Sequence, residues 1–298
     1  MRHHVPWIAP CPEARMTDIT IDNGSVRLAA SVYGPADAEP IVFLHGISLS
    51  RDTWEEIAQR LASRYLVWTL DFRGHGHSDW TPSYELAGYV ADAEAVLATI
   101  GRPAIVVGHS LGGCVAGVLA QAAHPNVRAA FLEDPPWYLG EPSEWKRSAF
   151  PNLFVVLSAR QATWHKEHAP LATYLDFVSS SPSAMGGIVS DHIGRRHLLS
   201  HASALQRQDA RSWGDLDGKI LAAIATGREF RRPTRIIQAD PRFGAALLDG
   251  HEARLAKTNP HADIIQYHGC GHSPHRTTAF EERFAADLMD FVSSVASH

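Results

Sequence analysis

The sequence predicts an α/β protein: a mostly parallel sheet of eight strands, helices on both faces, and a helical block inserted late in the chain. Three observations predict it. Short apolar runs alternate with helix-length amphipathic stretches, the pattern of parallel strands joined by helical crossovers. The rhythm stops near residue 137 and resumes near residue 234, with helical and irregular sequence between. Finally, Gly108-His109-Ser110-Leu111-Gly112 stands between an apolar run and a helix-like stretch.

Taken in order, Asp18–Asp22 and Val26–Tyr33 read as a hairpin turning at Asn23-Gly24. Ile41–Leu44 is an apolar strand ending at His45-Gly46. A helix follows over Arg51–Ser63, then a strand over Tyr65–Leu70 ending at Asp71. Tyr84–Ile100 has apolar residues near a 3.6 period, hence a helix. Strand 104–108 and helix 112–124 flank the serine. Val127–Leu132 is a strand ending at Glu133-Asp134-Pro135-Pro136. After the break come strand Thr234–Gln238, a helix around Gly250–Thr258, strand Asp263–Tyr267 and a last helix from Ala279 to about Val295. The organisation expected is an extension over 1–16, a core over 17–136 and 231–298, and a helical cap over 137–230. An insertion between two strands belongs above their C-terminal edge, where open α/β sheets bind ligands.

Composition bounds the function. The chain has 298 residues, enough to bury a substantial interior, with 45% hydrophobic and 20% charged residues. The net charge of −5 offers no basic footprint for nucleic acid. No apolar run approaches the ~20 residues of a membrane span. The three cysteines, Cys11, Cys114 and Cys270, fit no metal spacing and read as reduced thiols of a cytoplasmic protein. No nucleotide motif is present, so no cofactor is expected. His197 and His201 are spaced i, i+4, and His165 and His168 i, i+3, which suits a metal. No acidic or cysteine partner completes a motif, so no metal is expected.

A serine between two glycines at a strand-to-helix turn is a nucleophile elbow. Ser110 is held in a strained turn, and side chains at positions 108 and 112 would strike neighbouring backbone. The helix N-terminus points its N–H groups where negative charge develops.

With the elbow, three more motifs follow in order: Phe43-Leu44-His45-Gly46, Asp71-Phe72-Arg73-Gly74-His75-Gly76-His77-Ser78, and Gly269-Cys270-Gly271-His272. On these the chain, from about residue 17 to 298, resembles the α/β-hydrolases with a helical cap. The resemblance implies a triad in the order serine, acid, histidine. Ser110 is the nucleophile it implies, and His272 the base. His275 is the local competitor and a second candidate for the pocket or its support.

Two acids stay open. Asp240 lies in the loop after the seventh strand, the family's usual place. Asp134 lies at the end of the sixth, 24 residues after Ser110. Zearalenone-type lactone hydrolases and some haloalkane dehalogenases carry a glutamate there, and Asp134 is the preferred choice. Glu133 ranks third, because strand alternation turns it to the other side. The backbone N–H groups of Ile47 and Leu111 are the implied oxyanion donors.

A serine nucleophile, and isoleucine after His45-Gly46, argue against halide chemistry. Serine also argues against an epoxide hydrolase. Among the aromatic residues of 137–230, Trp137 and Tyr138 are the first choices for pocket walls, with Trp164 and His192 behind them. The reading is a serine hydrolase of a hydrophobic, ring-bearing ester or lactone. A carbon–carbon bond hydrolase on the same triad, a cofactor-free lyase or perhydrolase, and a low-turnover binding protein are the alternatives. The partner expected is the small substrate, with neither nucleic acid nor membrane, and a homodimer stays open.

Overall fold

The computed structural model describes residues 16–24, 26–214 and 219–296. The expected extension lies outside them apart from Met16, as does Cys11. Eight strands form one sheet: β1 (Thr17–Asn23), β2 (Val26–Tyr33), β3 (Glu39–Leu44), β4 (Tyr65–Leu70), β5 (Ala104–His109), β6 (Val127–Glu133), β7 (Thr234–Ala239) and β8 (Asp263–Tyr267). Their spatial order is β1-β2-β4-β3-β5-β6-β7-β8. The pairings β1–β2 and β2–β4 are antiparallel and the rest parallel, so only β2 runs against the others.

The central strands read as unbroken apolar runs because both of their faces are covered. Alternation sorts their side chains. Val42, Leu44, Val106, Ala130 and Leu132 enter one core with Tyr89, Ala93 and Val96 of α2 (Leu86–Ile100) and Val115 and Leu119 of α3 (Leu111–Gln121). Ile41, Phe43, Ile105, Val107, Ala129 and Phe131 enter the opposite core. That core is completed by Ile57, Ala58 and Leu61 of α1 (Glu55–Leu61) and Phe284, Leu288 and Phe291 of α9 (Glu281–Ala296).

The helix expected over 51–63 is a 3-10 turn, Arg51–Trp54, leading into the shorter α1. Its start is tightened by Asp71, whose carboxylate accepts from the Arg51 N–H at 2.7 Å and from its guanidinium at 2.9 Å. The helix expected from Tyr84 begins at Leu86, because the Tyr84 hydroxyl donates to Asp209 at 2.7 Å and Glu85 is extended.

Between β6 and β7 the chain runs through α4 (Pro142–Arg147), α5 (Phe150–Glu167), α6 (Leu171–Ser180) and α7 (Arg195–Arg207). Leu157, Tyr174, Val178, Leu198, Ala202, Leu205 and Trp213 form a third apolar cluster of this insertion's own. The short α8 (His251–Thr258) lies between β7 and β8. No helix of the described residues is long and apolar enough to cross a membrane.

Candidate active site

Strand β5 ends at His109, and the chain turns at once into α3. Ser110 makes that turn with φ 53° and ψ −115°. A non-glycine residue in this region stores strain of about 1–3 kcal/mol, held by its surroundings. Here the surroundings are backbone. The Ser110 N–H donates to the Glu133 carbonyl at 2.9 Å, and the Gly112 N–H to the His45 carbonyl at 3.1 Å. A Cβ at Gly108 would lie 2.1 Å from the Gly112 carbonyl oxygen, and one at Gly112 2.3 Å from that of Leu44. Both glycines are there because α3 packs directly onto the sheet.

Two polypeptide segments pack against the elbow. In the first, the Gly46 carbonyl accepts from the Leu49 N–H at 3.0 Å and from His45 Nδ1 at 2.8 Å. His45 Nε2 accepts from the Phe72 N–H at 3.1 Å, which leaves Nδ1 as the donor. The peptide is planar and trans, so pinning the Gly46 carbonyl aims the Ile47 N–H the opposite way. A Cβ at Gly46 would meet Ser110 Cβ at 3.2 Å, so this peptide abuts the serine. The Ile47 carbonyl is held separately, by His75 Nε2 at 2.7 Å and Gln208 Nε2 at 2.8 Å. Leu111 opens α3, where the first N–H groups have no partner within the helix.

The second segment follows β8 and carries His272. Its Nδ1 lies 2.7 Å from Asp134 Oδ2. Asp134 is fully buried, just past β6, with φ 41°. It also accepts from the N–H groups of Ala246 at 2.7 Å and of Ala239 and Leu247 at 3.2 Å. A buried carboxylate needs such a full set of donors. With Asp134 accepting a hydrogen bond from Nδ1–H, the neutral ring carries its lone pair on Nε2. The loop is tied to the elbow by His109, whose Nε2 lies 3.1 Å from the His272 carbonyl and whose ring is 4.8 Å from the His272 ring.

Asp240 goes elsewhere. It caps the turn after β7, accepting from Arg242 at 2.7 Å and 3.0 Å and from the Gly269 N–H at 2.8 Å. These donors, Arg242 first, hold its carboxyl well below the usual range. It borders a cleft of about 670 Å³ with Arg242, Glu252 and His268, which does not include Ser110 or His272.

Glu133, one residue before Asp134, points to the other side and has its own imidazole. The His275 N–H and Nδ1 meet Glu133 Oε1 at 2.8 and 2.9 Å, and His275 Nε2 meets Thr53 Oγ1 at 2.8 Å. Trp54 stacks on the His275 ring at 4.1 Å. Burial pushes the Glu133 carboxyl well up and the His275 imidazole well down. Consecutive acids at the end of β6 thus hold two histidines three residues apart. The alternation of a strand was the signal for the split, and the spacing of the histidines the signal for the second pair.

Ligand atoms of His109, Glu133 and His275 lie within 4.8 Å of one another, a possible metal cluster among the described residues. The geometry suits a hydrogen-bond network better. Both His275 nitrogens are already engaged, and the Arg276 guanidinium bears on both histidines.

The residues expected to wall a pocket are placed differently. Trp137 is buried in the main core, 5.1 Å from the Phe230 ring and tight against Gly117 of α3. Tyr138 is buried against α8, 4.9 Å from the His251 ring and under the Arg254 guanidinium at 3.8 Å. Both are packing residues, because the chain past Pro136 folds back over α3 before the insertion begins. Trp164 sits among Tyr174 and Phe177, and His192 Nε2 bonds the Gly186 carbonyl at 2.7 Å. The insertion's residues that do meet the site were missed. Phe150 lies edge-on to His272 at 5.2 Å, and Met185 Sδ takes the Gly271 N–H at 3.3 Å. Nothing in their local sequence marks either one.

The fold and this arrangement define a class, and comparison with known proteins agrees. The sequence profile described as "Alpha/beta hydrolase family" matches residues 41–286, and the chain belongs to that family. A non-heme chloroperoxidase of Streptomyces lividans is 30% identical over 198 residues, 63% of this chain and 71% of that protein. A pimeloyl-[acyl-carrier protein] methyl ester esterase of Neisseria meningitidis (serogroup A, serotype 4A) is 27% identical over 267 residues, 88% of this chain and 79% of its own. The structure of the enol-lactonase from Burkholderia xenovorans LB400 superposes with a TM-score of 0.65 at 16% identity, covering 93% of this chain and all of that one.

Proposed function

We propose that this α/β hydrolase is a serine hydrolase that cleaves a carboxylic ester or lactone through an acyl-enzyme. The observation that carries the reading is the 2.7 Å link from fully buried Asp134 to His272 Nδ1, in a loop tied through His109 to a serine held at positive φ. A serine hydroxyl is barely ionised at neutral pH and needs such a base. His272 Nε2 takes the Ser110 proton as Oγ attacks the carbonyl carbon. Asp134 fixes the tautomer and steadies the imidazolium. The N–H groups of Ile47 and Leu111 receive the oxyanion. His272 then gives its proton to the leaving alcohol, and water activated by the same nitrogen releases the acid.

The insertion acts as the cap in this reading. Phe150 and Met185 lie over the His272 loop and give the substrate an apolar contact. The esterase among the relatives supports ester chemistry. The relative named a chloroperoxidase favours a second reading, in which hydrogen peroxide replaces water as acyl acceptor.

The test is labelling with a fluorophosphonate, with the adduct mapped by mass spectrometry. A stoichiometric adduct on Ser110, abolished in His272→Ala, is expected. Folded protein that stays unlabelled would sink the proposal. Product analysis with and without peroxide separates hydrolysis from perhydrolysis.

A further inference from the structure

The interior leaves several polar atoms without a hydrogen-bond partner, and four of them belong to one place: His197 Nδ1, Ser200 Oγ, His201 Nε2 and Arg276 Nε. Positions 197, 200 and 201 are i, i+3 and i+4 on α7, hence one face of that helix. Arg276 lies against it, its Nη2 donating to the His197 carbonyl at 3.1 Å. The contact is reinforced on either side. Ile193 pairs with Thr277 as an isolated bridge, and the Thr278 N–H donates to the His192 carbonyl at 3.0 Å.

Arg276 is 5% exposed and has no ion-pair partner among the described residues. The nearby carboxylates are otherwise engaged: Glu133 holds His275, and Glu281 faces the other ring nitrogen of His197 at 3.7 Å. Burial lowers Arg276 to about 10, with Glu133 acting weakly against it. Burial and the Arg276 charge keep His197 and His201 neutral, His197 at about 3. A neutral imidazole can still present one N–H.

The place adjoins the candidate active site. The His197 ring is 6.3 Å from His275, His275 is 5.0 Å from His109, and His109 is next to Ser110. Buried polar atoms are rarely left unmet, so a group of four points to an occupant, water or a ligand. A fixed guanidinium beside imidazole and hydroxyl donors repels a cation and suits an anion. One positive charge balances a carboxylate, whereas a phosphate dianion would bring a second, uncompensated charge into a buried place.

From this cluster we infer that Arg276, with His197, Ser200 and His201 of α7, forms a subsite for a carboxylate on the substrate, so that the preferred esters or lactones carry a free acid group. This rests on Ser110 being the nucleophile. The substrate then has an apolar body under Phe150 and an acidic end at Arg276.

The experiment compares kcat/KM for 4-nitrophenyl butyrate with the 4-nitrophenyl half-esters of succinic, glutaric and adipic acids, on protein whose reactive Ser110 has been counted by fluorophosphonate labelling of a separate aliquot. Wild type is expected to favour one half-ester over the neutral ester by about 10-fold or more, the size of a charge-assisted hydrogen bond. In Arg276→Gln that ratio falls to near one, through KM. In Ser200→Ala and His201→Asn it falls by a few-fold, and these serve if Arg276→Gln does not fold. Glutarate should also slow labelling of Ser110 in wild type more than in the variants. No half-ester preference in wild type that labels at Ser110 means a water-filled cavity and overturns the inference. A preference that survives all three substitutions overturns it too. Absence of labelling instead indicts the serine-hydrolase reading.

Discussion

Single side chains carry the sharpest expectations. Ser110→Ala should lower kcat by about 10⁶-fold and Asp134→Asn by about 10⁴-fold, the losses typical of triads. Asp240→Asn should leave kcat within a few-fold, since its partners are Arg242 and Gly269. Ester hydrolysis by the three variants checks this, and a collapse at Asp240 with Asp134 silent would reverse the assignment. Asp240 has a pH signature instead. Its folded pKa is depressed, so the folded state binds fewer protons than the unfolded one. Its stabilisation is present above the ordinary carboxyl range near pH 4 and is lost as pH falls below it. Wild type and Asp240→Asn should therefore converge in Tm as pH falls below about 4. Ser110 and His272 are legible in the sequence because glycines close to each of them mark the elbow and the loop. The residues around Asp134 and Asp240 do not separate the two acids, each being an aspartate directly after a strand.

At the scale of elements, the contact of α3 with the sheet is the most constrained. Gly112→Ala should destabilise by about 3 kcal/mol or more, since its Cβ would meet backbone at Leu44 that cannot move aside. Denaturant unfolding measures it, and a loss under about 1 kcal/mol would show that α3 can shift. The two acid–histidine links joining β6 to the His272 loop should separate cleanly. His275→Ala leaves Glu133 buried without its imidazole and should cost roughly 3 kcal/mol. Its kcat should fall far less than that of His272→Ala; equal losses would make His275 the base. Strand positions were legible to within one or two residues, because burial on both faces writes continuous apolar runs. Helix starts were less so. Side chains distant in sequence, Asp71 at Arg51 and Asp209 at Tyr84, set where α1 and α2 begin.

The whole molecule holds many histidines neutral. His45, His75, His109, His197, His201, His251 and His275 are all depressed, by burial first. The unfolded chain protonates them near pH 6.5 and the folded one does not, so stability is full above that pH and falls below it. Each adds to the loss, so Tm should fall as pH is lowered from about 7 towards 5. Thermal unfolding followed by circular dichroism measures it, and a Tm that stays flat over that range would contradict it.

By itself the sequence determined the eight strands, the elbow, and the opposite facing of Glu133 and Asp134, because these follow from local periodicity and backbone sterics. Only the tertiary structure decided that Asp134 reaches His272 across 138 residues while Asp240 turns to Arg242, that Trp137 and Tyr138 pack inward, and that Arg276 meets α7. Those partnerships depend on which strand ends and loops come together once the sheet is ordered and the insertion closes over it. Such long-range closure leaves no period in the chain.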